Sequence, residues 1–357
     1  MASLHDSALA LLAQVPLEDG LGLSAADGLV AIQTQGGQQV AQIQLGYPID
    51  GIADGLAQQL TQVLAPLGLQ VELGWQAPSV AAANSQNAVP GVRNIVAVAS
   101  GKGGVGKSTT AVNIALALAA EGARVGFLDA DIYGPSGAHM LGVTGVRPLA
   151  HAANIMQPIP AYGIHMISMG NLITDDTPVV WRGPMVSGAL QQLLRNTHWE
   201  DIDYLIIDMP PGTGDIQLTL AQTIPVSGAL IVTTPQDIAL LDAKKGIEMF
   251  RKVNIPVLGI VENMSLHICS NCGHQEAIFG SDGGAQLAEQ YAAPLLGQLP
   301  LQLAIRAQTD AGRPPLVADP NSAVSRIYRS IARQLGARLW AQAQQGAGAP
   351  TIVITND

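Results

Sequence analysis

The stretch VASGKGGVGKSTT, residues 98–110, constrains the fold of this chain more than any other part of the sequence. It contains the pattern G-x-x-x-x-G-K-[ST], with an apolar run before it and a helix-forming run, 109–121, after it. A glycine-rich turn between a buried strand and a helix lets backbone N–H groups and the helix N-terminus converge on phosphate oxygens. The stretch therefore predicts a nucleotide-phosphate site, with contacts from Gly101, Lys102, Gly103, Gly104, Val105, Gly106, Lys107, Ser108 and Thr109.

Two side chains of this loop add chemistry that the glycines lack. Lys107 follows the last glycine of the motif, and we expect it to reach the β- and γ-phosphates as a catalytic residue. Ser108 is expected to hold Mg²⁺ through its hydroxyl.

The sequence around the loop predicts a doubly wound α/β domain. From Asn94 onwards, continuous apolar strands alternate with helical stretches, which is typical of a parallel sheet covered on both faces. We predict strands at 95–99, 124–129, 165–169, 204–208, 229–233 and 257–261, and a short one at 294–297. The predicted fold is therefore a mostly parallel sheet of the P-loop NTPase type.

A small α+β domain is predicted ahead of this sheet. A helical stretch at 7–15 precedes two alternating runs at 28–33 and 39–45, and a second helical period and a strand at 69–73 follow. The stretch 76–91 is rich in Ala, Ser, Asn and Pro, which is typical of a linker. The predicted domains are 1–75 for the small domain, 76–92 for the linker, 93–345 for the nucleotide-binding domain and 346–357 for a loose tail.

Charge and hydropathy argue against several classes of protein. The formal net charge is −10, which disfavours nucleic acid as a partner. No Lys or Arg precedes Arg93, so a secretory signal lacks its basic segment, and no apolar run is long enough to span a membrane. We expect a cytoplasmic protein without stable membrane association.

Lys102, directly after the first glycine, is not required for an ordinary phosphate loop. With it, GKGGVGKST at 101–109 resembles the deviant Walker A motif of the ATPase group that contains MinD, ParA, the nitrogenase iron protein and arsenite-pump ATPases. The resemblance implies ATP as the nucleotide and a two-fold homodimer in which Lys102 reaches the partner's nucleotide. Because catalysis at such a site is mostly positioning and charge neutralisation, hydrolysis should be slow until the dimer closes.

By the same resemblance, polar residues after three further strands complete the site. Asp129 and Asp131, in FLDADIYGPS, are implied near Mg²⁺ and at the attacking water, respectively. Asp208 ends the apolar run YLIID and is implied as the Walker B carboxylate, which holds Mg²⁺ through water. The PPGTG stretch at 210–214 matches switch II, and Asn263, at the end of LGIVEN, matches the position that contacts adenine in the group.

Cys269 and Cys272, in HICSNCGH at 267–274, are the only cysteines of the chain. Two thiolates cannot fill a four-ligand metal site, so several interpretations compete. His267 and His274 could complete a Cys₂His₂ zinc site, although four ligands within eight residues are unusually close together. The others are a redox pair, a turn without metal, and a [4Fe–4S] cluster held by the cysteine pairs of two subunits.

The surrounding residues resemble a narrower family, the Mrp/ApbC branch of these ATPases, which are iron–sulfur cluster carrier proteins. The similarity covers about residues 92–320 and is carried by VVWRGPMVSGALQQLL, DYLIIDMPPGTGDIQLTLAQ, GIVENMS, CSNCGHQEAIFGSDGG and LPLQLAIRAQTDAGRPP. Membership implies a homodimer that holds a labile cluster and passes it to apo-proteins in an ATP-dependent manner. The small domain is similar to an iron–sulfur assembly domain often fused to such ATPases, and without cysteine it is limited to an adaptor or docking role.

A MinD- or ParA-like positioning protein, which binds membrane or DNA in response to ATP, is the alternative function. The run SAVSRIYRSIARQLGARLW at 322–340 predicts a basic amphipathic helix, which suits either a membrane surface or a helix packed on the core. We expect the packed helix, and the cysteine pair and the net charge favour the carrier. An electron-donating reductase like the nitrogenase iron protein is disfavoured, because that family uses separated single cysteines.

Overall fold

The chain forms two compact units in the computed structural model, which describes residues 3–18, 21–80, 88–132, 134–152, 154–171 and 183–347. The smaller unit joins Met1–Val80 to Gly336–Asp357, and the larger unit is Ala81–Leu335. The predicted domain boundaries stay a prediction, and the two units do not coincide with them. Residues 336–345, predicted in the nucleotide-binding domain, group with the smaller unit. Residues 81–87 of the predicted linker, 348–357 of the predicted tail and 172–182 lie outside the described residues.

The smaller unit has the predicted element order α-β-β-α-β. Its elements are α1 (Leu4–Leu12), β1 (Leu29–Gln35), β2 (Gln38–Leu45), α2 (Ala53–Leu64) and β3 (Leu69–Trp75). β1 and β2 pair antiparallel, and β2 and β3 pair parallel with α2 as their connection. α1 begins at a capping box, in which the side chain of Ser3 accepts from the N–H of Asp6 and the side chain of Asp6 accepts from the N–H of Ser3.

The core of the smaller unit combines residues from both ends of the chain. Leu12, Leu45 and Leu60 are buried together with Trp340. The rings of Tyr47 and Trp340 contact each other with centroids 6.0 Å apart. The C-terminal segment is therefore part of this core.

The larger unit contains one large sheet and the helices that cover it. In chain order its elements are β4 (Val92–Ala99), α3 (Lys107–Ala120), β5 (Val125–Asp129), α4 (Gly137–Met140), β6 (Leu149–Ala152), β7 (Ile155–Gln157), β8 (Ile159–Ala161), β9 (Ile164–Ser168), α5 (Gly183–Arg195), β10 (Ile202–Asp208), α6 (Asp215–Thr223), β11 (Gly228–Thr233), α7 (Asp237–Lys252), β12 (Val257–Glu262), β13 (His267–Ile268), β14 (Gln275–Glu276), α8 (Gly283–Tyr291), β15 (Leu295–Gln298), α9 (Leu303–Asp310), α10 (Pro315–Ala318) and α11 (Ala323–Ala347).

The large sheet has eight strands in the order β15-β12-β11-β4-β10-β5-β9-β8. All neighbouring pairs are parallel except β8 and β9. Every residue of β10 and β11 is buried, so helices cover both faces of the sheet as their continuous apolar sequences predict. All seven predicted strands are present, and the predicted fold class is confirmed. The edge strand β8 and the short two-stranded ribbons β6–β7 and β13–β14 were not predicted.

The N-terminal half of α11 packs on the larger unit as predicted. Ile331 and Leu335 are fully buried. Arg329 and Arg333 both reach one oxygen of the fully buried Glu121, at 2.6 and 2.9 Å. Part of the basic face is thus engaged in ion pairs within this unit. Within the described residues, no helix is long and apolar enough to cross a membrane.

Candidate nucleotide site and cysteine pair

The glycine-rich loop joins β4 to α3 at the carboxyl edge of the sheet. Gly106 precedes the first residue of α3 and has a left-handed backbone with φ 83°. A Cβ on Gly106 would overlap the side-chain amide of Asn263, and a Cβ on Gly101 would overlap the backbone of Asp242 in α7. At these two positions of the loop the neighbours leave room only for glycine.

This loop and two neighbouring segments line an open cleft. The segment after β5 contributes Asp131, Ser136 and Met140, and the segment after β10 contributes Pro211. The loop itself contributes Ser100, Lys102, Gly103, Gly104, Gly106, Lys107, Ser108 and Thr109. The cleft thus brings most of the predicted phosphate contacts together with Asp131.

Lys107 forms a buried ion pair with Asp208. Its Nζ lies 2.5 Å from Asp208 Oδ1 and 3.1 Å from the hydroxyl of Ser108. Burial raises the pKa of Asp208, and the charge of Lys107 opposes that shift. Asp208 Oδ2 is buried and has no hydrogen-bond partner among the described residues. Asp208 Oδ1 and the Ser108 hydroxyl oxygen both lie close to the ammonium group of Lys107, and Asp208 Oδ2 has no partner among the described residues. These three oxygens form a donor set that suits Mg²⁺.

Asp129, at the end of β5, is buried beside this pair. Its Oδ1 accepts from the N–H of Asp131 at 3.2 Å, and its Oδ2 accepts from the N–H of Gly137 at 2.9 Å and from the hydroxyl of Ser168 at 3.2 Å. Burial, and then the charge of Asp208, raise the pKa of Asp129 to about 7. This carboxyl therefore changes its charge near neutral pH.

The predicted switch II segment, 210–214, contacts the phosphate loop through a hydrogen bond. The N–H of Gly212 donates to the carbonyl oxygen of Ser100 at 2.9 Å. The side-chain amide of Gln217, in α6, donates to the carbonyl oxygens of Pro210 and Pro211. A displacement of the loop would therefore reach α6 through these contacts.

Asn263, the predicted adenine contact, lies directly after β12 and packs against the phosphate loop. Its Nδ2 donates to the carbonyl oxygen of Val105 at 2.9 Å. The next residue, Met264, has a left-handed backbone with φ 58°, which is uncommon for a long side chain. The adenine contact stays a prediction, and the observed partner of Asn263 is the loop itself.

Cys269 and Cys272 lie in the turn between β13 and β14. The N–H of Cys269 donates to the carbonyl of His274 at 2.9 Å, and the N–H of Gly273 donates to the carbonyl of Cys269 at 2.9 Å. Cys269 is partly exposed and Cys272 is exposed. Hydrogen bonds from the backbone of Cys272 and Asn271 lower the pKa of the Cys269 thiol. The turn therefore favours a thiolate, which is the form of cysteine that binds metals.

The two thiols have no further ligand group beside them in the described part of the chain. No group of three or more His, Cys, Asp or Glu side chains there could hold a metal ion. His267 and His274 therefore do not gather around Cys269 and Cys272 as a Cys₂His₂ zinc site within one chain.

Ser168 is a polar residue of the site that the sequence analysis missed. It is 1% exposed and is the last residue of β9, directly opposite Asp129 in the register. Its residue type and its place near the end of the predicted strand 165–169 were visible in the sequence, whereas its pairing with Asp129 was not.

The loop, the buried pair of Lys107 and Asp208 and the parallel sheet define a P-loop NTPase. A family model described as ParA, NUBPL iron-transfer P-loop NTPase, matches residues 91–336. The chain belongs to this family, and the predicted resemblance to iron–sulfur cluster carrier ATPases is confirmed.

Several relatives that match this chain over most of their own length are named as iron–sulfur cluster carrier or transfer proteins. An iron–sulfur cluster carrier protein of Pseudomonas fragi is 62% identical over 265 residues, which cover 73% of this chain and 92% of that protein. The carrier protein of Salmonella typhimurium is 56% identical over 285 residues, covering 80% and 77%. The iron–sulfur cluster transfer protein NUBPL of Mus musculus is 52% identical over 256 residues, covering 71% and 80%.

Solved structures support the fold. A nucleotide-binding protein from Archaeoglobus fulgidus in complex with ADP has a TM-score of 0.57 and 34% identity, and the match covers 65% of this chain and 90% of that one. The cell division ATPase MinD of Pyrococcus furiosus has a TM-score of 0.52 and 23% identity, covering 68% and 98%. At that identity the likeness to MinD concerns the fold alone.

Proposed function

We propose that this chain is an ATP-binding and ATP-hydrolysing carrier of iron–sulfur clusters. Two copies would hold a [4Fe–4S] cluster between them as cargo and pass it to apo-proteins. The observation that carries the proposal is the turn with Cys269 and Cys272, which offers two thiols where such a cluster needs four ligands. The names of the carrier and transfer proteins among the relatives support the same cargo.

Hydrolysis of ATP is the reaction that we assign to the cleft. Mg²⁺ would be held by Ser108, Asp208 and Asp129, and it would neutralise charge on the β- and γ-phosphates. Lys107 would bind the same phosphates, which requires it to leave its contact with Asp208. Asp131, at the cleft wall, would orient the attacking water.

A homodimer would supply what one chain lacks. Lys102 is exposed in the loop and would reach the nucleotide of the second copy. Ile238 and Leu241, at the start of α7, are 64% and 56% exposed, and the backbone of Asp242 packs on Gly101 of the loop. Apolar side chains exposed beside a catalytic loop support a contact surface for a second copy.

The remaining assignments concern the base and the cellular setting. Asn263 would contact adenine through its Oδ1, since its Nδ2 already binds the carbonyl of Val105. The smaller unit, which has no cysteine, would act as an adaptor. We place the protein in the cytoplasm, without nucleic acid or a stable membrane contact as partners.

Anaerobic reconstitution of the full chain with iron and sulfide tests the cargo. We expect about four irons per dimer, because a four-thiolate cluster draws two cysteines from each copy. Light scattering should give the mass of a dimer. Cys269→Ala should reduce bound iron to background, whereas Ser270→Ala, in the same turn, should retain it. Iron retained by Cys269→Ala, or zinc in the anaerobically purified protein, would overturn the proposal.

The ATP requirement has its own test. Transfer to an apo-protein that accepts [4Fe–4S] clusters is followed by the visible spectrum of the acceptor, with and without ATP. Lys107→Ala should abolish the effect of ATP, and Lys102→Ala should lower hydrolysis while leaving ADP binding in place. Equal transfer rates in the wild type, Lys107→Ala and Lys102→Ala, with and without ATP, would contradict the coupling of ATP to cluster transfer.

A further inference from the structure

The buried hydroxyl of Ser168 connects two neighbouring strands at the carboxyl edge of the sheet. We propose that Ser168 is a positioning residue for ATP hydrolysis, because it fixes the carboxylate of Asp129 and, through it, the backbone of Asp131. The inference rests on the proposed ATPase function and adds a residue to it.

The hydrogen bonds of Ser168 determine where its proton lies. The N–H of Gly170 can only donate, and it lies 3.0 Å from Ser168 Oγ. Asp129 Oδ2, 3.2 Å away, accepts from the hydroxyl. The N–H of Ser168 donates to Asn171 Oδ1 at 2.8 Å, which closes the turn after β9. Because the Gly170 N–H occupies an acceptor position of Ser168 Oγ, the hydroxyl directs its own proton at Asp129 Oδ2.

Asp129 in turn holds the start of the segment that lines the cleft. Its Oδ1 accepts from the N–H of Asp131, and its Oδ2 accepts from the N–H of Gly137, the first residue of α4. Asp131 and Ser136 both line the cleft. Rotation of the Asp129 carboxylate would release the backbone at both ends of this segment.

Ser168 supplies the only side-chain donor to Asp129 that the described residues reveal. Without it, Oδ2 keeps one backbone donor, and the carboxylate gains freedom to turn about its terminal torsion. A misoriented group at a site that works by positioning lowers the rate more than it lowers binding. The expected signature of Ser168 is therefore a loss in kcat with little change in nucleotide affinity.

The chain offers a matched control for burial. Ser187, in α5, is 6% exposed, and its hydroxyl has no hydrogen-bond partner among the described residues. Ser187→Ala removes the same atom from the larger unit without touching the site. Ser168→Thr keeps the hydroxyl and suits a strand end, so it serves as the conservative variant.

Steady-state ATP hydrolysis by the full chain tests the inference. Ser168→Ala should lower kcat about tenfold or more, as expected for the loss of a hydrogen bond to a charged group. It should also raise the Mg²⁺ concentration for half-maximal rate, while ADP affinity without Mg²⁺ stays within about twofold. Ser168→Thr should recover most of the rate, and Ser187→Ala should match the wild type.

Two outcomes would overturn the role of Ser168. One is equal kcat in Ser168→Ala and Ser187→Ala while the wild type hydrolyses ATP. The other is a loss of kcat in parallel with ADP affinity and the unfolding midpoint, which indicates a structural residue.

A wild type without hydrolysis contradicts the proposed function instead. In that case Mn²⁺ affinity of the ADP complex, measured by electron paramagnetic resonance, decides: weaker binding in Ser168→Ala alone supports the inference, and equal binding overturns it.

Discussion

Lys107 Nζ lies 2.5 Å from Asp208 Oδ1, so the lysine of the phosphate loop and the carboxylate that ends β10 neutralise each other inside the larger unit. The two side chains are 6% and 0% exposed. A buried carboxylate that loses its cationic partner is costly. If a nucleotide draws Lys107 to its phosphates, as we propose, Asp208 needs another compensation for its charge, and Mg²⁺ bound with the nucleotide would supply it.

Replacing Lys107 should affect stability as well as nucleotide binding. Lys107→Ala leaves Asp208 unpaired, and we expect the free energy of unfolding to fall by about 3–5 kcal/mol. Urea unfolding at neutral pH measures it, and the double variant Lys107→Ala/Asp208→Asn should recover part of the loss. Lys102→Ala, at an exposed position of the same loop, should stay within about 0.5 kcal/mol of the wild type. Equal stability of the two single variants would contradict a stabilising pair.

Asp129 should make the folded protein less stable as the pH rises. Its pKa is raised from an ordinary value of 3.8 to about 7, so between these values the folded state holds a proton that the unfolded state has released. The free energy of unfolding therefore falls across this window and levels off above it. Asp129→Asn cannot ionise, and its stability relative to the wild type should rise by up to about 4 kcal/mol from the acid to the neutral end.

Urea unfolding of both proteins at a series of pH values, without nucleotide or divalent cations, measures this difference. The comparison cancels the titration of the other carboxyl groups. A stability difference that does not change with pH would show that burial leaves the Asp129 carboxyl at its ordinary pKa.

Gly101 should tolerate no side chain, although Gly103 in the same loop should. A Cβ at Gly101 would overlap the backbone of Asp242, whereas the nearest atom to a Cβ at Gly103 is Pro211 Cβ at 4.0 Å. We expect Gly101→Ala to cost about 1–3 kcal/mol through the forced shift of α7 or of the loop. Thermal unfolding and ADP binding by calorimetry should both be close to wild type for Gly103→Ala. Similar losses in the two variants would point to loop flexibility rather than to the close approach.

The thiol of Cys269 should react with iodoacetamide at lower pH in the folded protein than in the unfolded one. Backbone hydrogen bonds from Cys272 and Asn271 lower its pKa, and the thiolate is the reactive form. Because the chain has only two cysteines, mass spectrometry assigns the reaction at each of them. The experiment uses anaerobic, metal-free protein with and without urea. Coincident pH profiles for Cys269 in the two states would contradict the role of the turn.

The parts of the site that lie within one stretch of chain were predictable from the sequence. The phosphate loop combines an apolar strand, glycines and a helix start, and each of these has a local signal. The contact between Lys107 and Asp208 joins residues 101 positions apart. It exists because β10 lies beside β4 in the sheet, and a strand order of this kind is fixed by packing rather than by local sequence.

The features of the structure that were not predicted from the sequence also have physical explanations. The edge strand β8 contains Pro160 and is only three residues long, so no alternating pattern marks it. The hydrogen bond between Asn263 and Val105 joins residues 158 positions apart and depends on where β12 ends relative to the phosphate loop. The partners of Ser168 likewise follow from the register of β9 with β5. Residue types were therefore predictable at this edge, whereas their pairing was not.

Trp340 belongs to the same core as Leu12 and Leu45, although the whole larger unit separates them in the chain. During synthesis the ribosome therefore releases the first helix and strands of that core long before the tryptophan that closes it. A nascent chain that ends before α11 holds these apolar side chains without their last partner, so co-translational chaperones have a long interval in which to meet them. A core that begins to form before the larger unit is made is in this way completed only after it.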